Sequence, residues 1–147
     1  MLFRSLDAGL TRHIGVSNYS VRKLQDLLEH GRLRPEVNQV ELHPLLQQPE
    51  LVAFCQAHGI HLTAYSPLGS GDRPARLKAA DEPVLLDNPV IRAIAAEHGC
   101  SAAQVLLAWH LGRGISTIPK SVSAERLREN LAAAAIDLSP ADLERIA

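Results

Sequence analysis

Two periodicities alternate along this chain. Short apolar or alternating runs take turns with stretches whose apolar residues recur every three or four positions, the signatures of strand and helix. His13 to Ser17 reads as a first strand, and Ser20 can cap a helix over Val21 to His30 that stops at Gly31. Val37 to Leu42 reads as a second strand. Pro44 and Pro49 bracket a loop, Pro49 takes the first helical position, and a helix over Glu50 to His58 ends at Gly59. Ile60 to Tyr65 is the third strand, followed by a long polar loop from Ser66 to Asn88. Asn88-Pro89 opens a helix to His98 that Gly99 closes, and Ser101 with Gln104 forms a capping box for Ala102 to Leu111. Ile115 to Ile118 is the fourth strand. Ser123 caps a helix reaching about Ala135, and Ser139-Pro140 starts a last short one.

Strands separated by helices of this length need right-handed crossovers, which make the sheet parallel and the class α/β. Period two sorts the strand side chains. Ser17 shares a face with Gly15 and His13, Gln39 with Glu41, and Tyr65 with Thr63 and His61, whereas Ile14, Val16, Val40, Ile60 and Leu62 take the other side. A doubly wound sheet buries both faces and should read almost continuously apolar. One polar face and one aliphatic face suit a barrel whose interior carries function near one end. Ser17, Asn18, Tyr65, Ser66, Lys120 and Ser121 fall at strand C-terminal ends, where (β/α)8 enzymes keep their chemistry. Such a barrel takes about 250 residues and eight strands. Four strands are legible here, and Leu2 to Leu10 reads as the tail of a helix with no strand before it, so the expectation is half of a barrel.

Composition narrows the chemistry. The chain has 147 residues, 46% of them apolar, which suffices for one domain with a real core. A net charge of −1 points to no polyanionic partner, and 3% aromatic residues leave little on which to stack bases, against a nucleic-acid role. Cys55 and Cys100 are isolated thiols without metal spacing, so no metal is expected. No apolar run reaches the roughly 18 residues of a membrane span, and Met1-Leu2-Phe3-Arg4 does not open a signal peptide, so a cytoplasmic location is expected.

The densest chemistry lies in Ile115 to Asn130. Lys120 and Ser121 follow the last strand directly, and Ser123 starts the next helix. Free backbone N–H groups and the helix dipole favour an anion there. Arg126 in the first turn opposes that dipole, and Glu129 and Asn130 lie three and four residues on, along the same helix face. A planar cation, an acceptor and an amide suit an adenine ring carrying a phosphate, although a solvated charged face would read the same way. Ser17 and Asn18 could equally cap a strand-to-helix turn, Gln39 and Glu41 could face water from an edge, and Tyr65 could be simple core. His43 and His110 stand without a third ligand at metal spacing and read as structural. Asp137, Asp142 and Glu144 read as surface charges.

Four segments in order and spacing, Arg12-His13-Ile14-Gly15-Val16-Ser17-Asn18, Val37-Asn38-Gln39-Val40-Glu41-Leu42-His43-Pro44, Thr63-Ala64-Tyr65-Ser66-Pro67-Leu68-Gly69-Ser70, and Ile118-Pro119-Lys120-Ser121 with Arg126, Glu129 and Asn130, resemble the C-terminal half of the aldo-keto reductases. The resemblance implies the C-terminal half of a (β/α)8 TIM barrel, a partial domain over residues 1–147 whose N-terminal half-barrel is missing. It also implies reduction of an aldehyde or ketone by NADPH. On that resemblance Ser17, Asn18 and Gln39 hydrogen-bond the nicotinamide carboxamide, a group with both donors and an acceptor, and Tyr65 stacks on the nicotinamide ring. Ser66, Leu68 and Ser70 contact the pyrophosphate, Lys120, Ser121 and Arg126 hold the adenosine 2′-phosphate, and Glu129 and Asn130 meet the adenine amino group. Asp72 is expected to pair with Lys120 and latch the long loop over the cofactor. Ser123 stands where the family commonly has threonine, and it keeps the hydroxyl.

The family's acid-base set is an aspartate, a tyrosine, a lysine and a histidine, expected on the four strands before this stretch. No catalytic residue carries over, since neither Tyr19 nor Tyr65 matches the proton donor's motif. The tail that shapes the family's substrate pocket is likewise expected to be missing after Ala147. Two functions follow: part of an NADPH-dependent carbonyl reductase taking a small-molecule substrate, or a non-catalytic nucleotide-binding or assembly module. Open sheet edges favour self-association of an isolated half.

Overall fold

The computed structural model describes residues 4–69, 76 and 83–147. Helices and strands alternate as the periodicities require: α1 (Arg4–Asp7), β1 (Gly15–Ser17), α2 (Val21–His30), β2 (Val37–Glu41), α3 (Pro49–Ala57), β3 (His61–Tyr65), α4 (Pro89–Glu97), α5 (Ala102–Leu111), β4 (Ser116–Thr117), α6 (Ala124–Ala132) and α7 (Pro140–Ile146). The four strands form one parallel sheet in the order β1-β2-β3-β4. Each strand thus joins beside the one before it, the sequential winding of a (β/α)8 barrel and half its strand number. Short 3₁₀ turns occupy Leu85–Asp87, inside the expected long loop, and Ala133–Ala135, where α6 tightens before it ends. The outer strands are shorter than their apolar runs: His13 and Ile14 precede β1, and Ile115 and Ile118 flank β4.

Side-chain capping explains most helix starts. Ser20, Asn88, Ser101, Ser123 and Ser139 each accept a hydrogen bond from a backbone N–H of the turn they open. The expected capping box is present, Ser101 bonding Gln104 N while the Gln104 amide oxygen accepts from Ser101 N. Gly59 takes the positive φ, +63°, that suits a glycine after a helix. Gly31 ends α2 for a different reason. Its φ of −77° is ordinary, but a Cβ there would sit 2.3 Å from the Leu27 carbonyl oxygen.

The chain divides into two compact units, Met1–Val40 with Gln48–Thr63, and Glu41–Gln47 with Ala64–Ala147. In the first, Leu24 of α2, Val40 of β2, Leu51, Val52 and Cys55 of α3, and Leu62 of β3 form the core. In the second, α5 is apolar all round, and Val105 through His110 are all buried. Ile91, Ile94, Ala95, Ile115 and Ala133 are buried in the same unit. The Arg113 guanidinium lies 4.2 Å from the centre of the Trp109 ring.

Two residues depart from the sequence reading. Asn38 lies on the aliphatic side of β2 and is fully buried beside Val40. Asp142, read as a surface charge, is only 5% exposed. Its carboxylate accepts from the Ser139 hydroxyl at 2.7 Å and lies 3.0 Å from the His98 ring nitrogen. Arg145 bridges from Glu97 toward the same carboxylate. The cause is the docking of α7 against α4, which no local pattern in α7 announces.

Two opposite effects of adding one methyl are expected. Gly31→Ala must push backbone apart and should cost about 1–3 kcal/mol. Gly112→Ala, at φ −62° with its nearest neighbour at 3.4 Å, should be neutral or stabilising by about 0.4–1 kcal/mol; urea unfolding midpoints check both signs. The Ser139 hydroxyl first, and then His98, hold the Asp142 carboxyl below the usual carboxylate range. A carboxyl lowered by folding adds stability above its unfolded pKa and loses it as pH falls through the folded value. Thermal unfolding should therefore show the parent losing stability below about pH 4 more steeply than Asp142→Asn.

Candidate functional site

In the first unit, the site residues stand where β1 stops. Parallel pairing sets Ser17 opposite Gln39, so their side chains emerge side by side on one face. The Gln39 carbonyl accepts twice, from the Ser17 hydroxyl at 3.0 Å and from the Asn18 backbone N–H at 2.9 Å. Because the hydroxyl spends its proton there, its lone pairs remain available to an incoming donor. The Gln39 side-chain amide beside it carries both a donor and an acceptor. Asn18 takes φ +57°, a left-handed conformation that asparagine tolerates better than most side chains. Ser17 and Asn18 are exposed, and Gln39 is half-buried. Ser17, Asn18 and Gln39 therefore lie next to one another within this unit.

Sequence reasoning missed the residue behind them. The Asn38 side chain donates to the Tyr19 carbonyl at 3.0 Å and accepts from the Tyr19 N–H at 3.3 Å. Its only sequence signal was an amide on an otherwise aliphatic strand face. The neighbouring Cys55 thiol is pushed up in pKa by burial, partly offset by a hydrogen bond to Asn38.

In the second unit, Ile118 N donates to Ala64 O at 3.1 Å. That bond aligns the end of β3 with the segment after β4, so Tyr65 and Ser66 leave the sheet beside Pro119, Lys120 and Ser121. Ser66 takes φ +47°, and its carbonyl accepts from Gly69 N at 2.9 Å. The turn so formed buries Pro67 and leaves Leu68 half-exposed. Asn18 and Ser66 are thus non-glycine residues at positive φ, each immediately after a strand, the kind of local strain that gathers at functional ends.

Past β4, hydroxyls step the chain into α6. Ser121 Oγ accepts from Ser123 N at 3.2 Å, and Ser123 Oγ accepts from Arg126 N at 3.3 Å. Arg126, Glu129 and Asn130 then lie along one face of α6. Lys120, Arg126 and Glu129 are exposed, while Ser121 and Asn130 are half-buried. Gln104, noted in the sequence only as a cap, does a second job. Its side-chain nitrogen donates to the Glu129 carbonyl at 3.2 Å and so ties α6 to the start of α5. Ser70 and Asp72, and with Asp72 the expected pairing to Lys120, lie outside the described residues.

The two tempting histidines have other work. His110 is fully buried, with Nδ1 2.7 Å from the Leu106 carbonyl and Nε2 2.8 Å from the Leu42 carbonyl. Burial pushes its pKa down, against the upward pull of those two carbonyls. His43 is 7% exposed, with Nε2 3.4 Å from a Glu41 oxygen. Among the described residues no three His, Cys, Asp or Glu side chains gather as a metal site would require, and no helix is long and apolar enough to cross a membrane.

Comparison with known proteins bears on this arrangement. The sequence model of the Aldo/keto reductase family matches residues 2–147. An aldo/keto reductase of Synechocystis sp. is 59% identical over 99% of this chain. Aldo-keto reductase family 1 member A1 is 46% identical in Rattus norvegicus and 45% in Homo sapiens, each over 94% of this chain. The alignments cover 45% of the first relative and 42% of the other two, so the chain spans less than half the length of the curated proteins it matches. A match running along nearly every residue, over a parallel sheet whose strands follow one another in order, shows that this chain belongs to the aldo/keto reductase family.

Proposed function

We propose that this chain is the cofactor-binding part of an NADPH-dependent oxidoreductase that reduces aldehydes or ketones to alcohols. The observation that carries the reading is the pairing of Ser17 with Gln39, with the Asn18 N–H and the Ser17 hydroxyl sharing one carbonyl. A hydroxyl acceptor and two side-chain amides are a set chemically matched to a primary carboxamide. Tyr65, at the end of β3, offers a ring face for stacking. Ser66 and Leu68, with Ser70 beyond the described residues, border the pyrophosphate. Asp72, likewise outside the described residues, is assigned the pairing with Lys120 across the pyrophosphate. Lys120, Ser121 and Arg126 take the 2′-phosphate, and Glu129 and Asn130 take the adenine.

A bound nicotinamide supplies the hydride. The residues of this chain orient the ring and its phosphates and hold no proton for the reaction. On this reading the aspartate, tyrosine, lysine and histidine of the acid-base set belong to the preceding half of the barrel. The domain boundaries follow: residues 1–147 form a partial domain of a longer reductase that is cytoplasmic and acts on a small carbonyl compound.

Electrostatics decides between the two nicotinamide cofactors. In the first turn of α6, the Arg126 charge opposes the helix dipole by about 0.3–1 kcal/mol. A 2′-phosphate reverses that sign and gains charge-assisted hydrogen bonds of roughly 1.5–3 kcal/mol. Fluorescence titration of the purified chain should show tighter binding of NADPH than of NADH. Arg126→Ala should weaken NADPH about tenfold or more while leaving NADH within about twofold. Equal affinity of the parent for both cofactors would remove the phosphate role given to Lys120, Ser121 and Arg126.

A further inference from the structure

The Asn38 amide is completely buried, so its hydrogen-bonding groups must be satisfied inside the protein. The Cys55 thiol meets one of them, and the backbone of a single residue, Tyr19, meets two more. The side chain supplies one donor and one acceptor to the backbone of Tyr19, the pair of bonds that a neighbouring strand would have supplied. Strand pairing itself stops two residues earlier, at Ser17 with Gln39, and the Asn18 N–H makes the last backbone bond of that edge. Asn38 therefore continues the ladder past the end of β1 with a side chain in place of a main chain.

What this holds is the residue between. Asn18 sits at φ +57°, a conformation that persists in a side-chain-bearing residue only when its surroundings enforce it. Ser17 is fixed on one side by the ladder and the hydroxyl bond to Gln39. Tyr19 is fixed on the other by Asn38, and Ser20 then starts α2. Without the Tyr19 clamp, the segment would lose its anchor immediately after Asn18, and the hold on the left-handed conformation there would weaken.

The geometry points to Asn38 as a positioning residue: it fixes the backbone that aims Asn18, and through Asn18 it tunes binding at the nicotinamide end of the cofactor without touching it. The inference rests on the proposed cofactor reading and goes one step further, because it separates the two ends of the dinucleotide. A residue that merely stabilised the core would weaken binding of every part of the cofactor alike.

The test compares NADPH with adenosine 2′,5′-bisphosphate, which lacks the nicotinamide, on the parent chain and on Asn38→Leu and Asn38→Asp. Asn38→Leu removes both bonds to Tyr19. Asn38→Asp keeps the shape and the acceptor but loses the donor, and it serves in the same comparison if the leucine variant does not fold. NADPH affinity is expected to fall about tenfold in Asn38→Leu and to fall also in Asn38→Asp, where a carboxylate oxygen faces the Tyr19 carbonyl, with bisphosphate affinity unchanged within about twofold. Hydrogen exchange at the Tyr19 amide should accelerate in both variants with no ligand present. Equal losses for NADPH and the bisphosphate, or no loss for either, would overturn the inference and leave the cofactor reading standing. A Tyr19 amide exchanging no faster in the variants would overturn the clamp itself. A parent chain that binds neither compound would overturn the cofactor reading, and with it the role of Asn38 in binding.

Discussion

Parallel pairing governs where chemistry can stand in this protein. A parallel ladder cannot be closed by a tight hairpin, so every strand must give way to a segment that leads into a crossover helix. At those exits the ladder runs out of backbone partners, and side chains or unusual dihedrals have to finish it. In the first unit the exit from β1 is finished by the Ser17 hydroxyl, the left-handed Asn18 and the Asn38 amide. In the second unit the exit from β3 is finished by Ser66 at positive φ and a turn closed by Gly69. Ser17, Asn18 and Ser66, which resemble cofactor contacts of the family, are among these finishing residues, so at these exits the groups that complete the ladder are also polar groups at the strand ends.

Helix α6 shows the same economy with charge. Its cap is built from hydroxyls, Ser121 and Ser123, which satisfy backbone N–H groups, and Glu125 stands beside Arg126 in the first turn. An aspartate cap would hold the helix as well but would repel a phosphate. Arg126 in the first turn opposes the dipole at a cost of about 0.3–1 kcal/mol, which a bound anion would reverse. Gln104 holds the middle of the helix from α5, so the face carrying Arg126, Glu129 and Asn130 keeps its aim although most of its side chains are exposed.

Legibility followed distance along the chain. Ser20, Asn88, Ser101, Ser123 and Ser139 cap helices through bonds to residues two or three positions on, and a reader of the sequence sees both partners at once. The polar trio Ser17, Asn18 and Gln39 was legible through its resemblance to a family, but the sharing of one carbonyl between Ser17 and Asn18 depends on strand register. Residues with distant partners were misread or passed over. Asn38 answers to Tyr19, 19 residues away, and Asp142 to His98 at 44; His110 was read rightly as structural, though its partner Leu42, 68 residues off, was not named. Gly31 was legible as the end of α2, but not its steric reason, because the carbonyl it must clear is placed by the last turn of α2.

From the sequence alone came the α/β class, the order of strands and helices, the helix starts and the family, because each rests on short-range periodicity, local caps or a run of residues in fixed spacing. Tertiary structure alone decided which polar groups are buried and what satisfies them. An amide on an aliphatic strand face, or an aspartate in the first turn of a helix, has the same local sequence whether water or protein completes its hydrogen bonds. Only packing removes the water, and only then does the choice of partner become part of the fold.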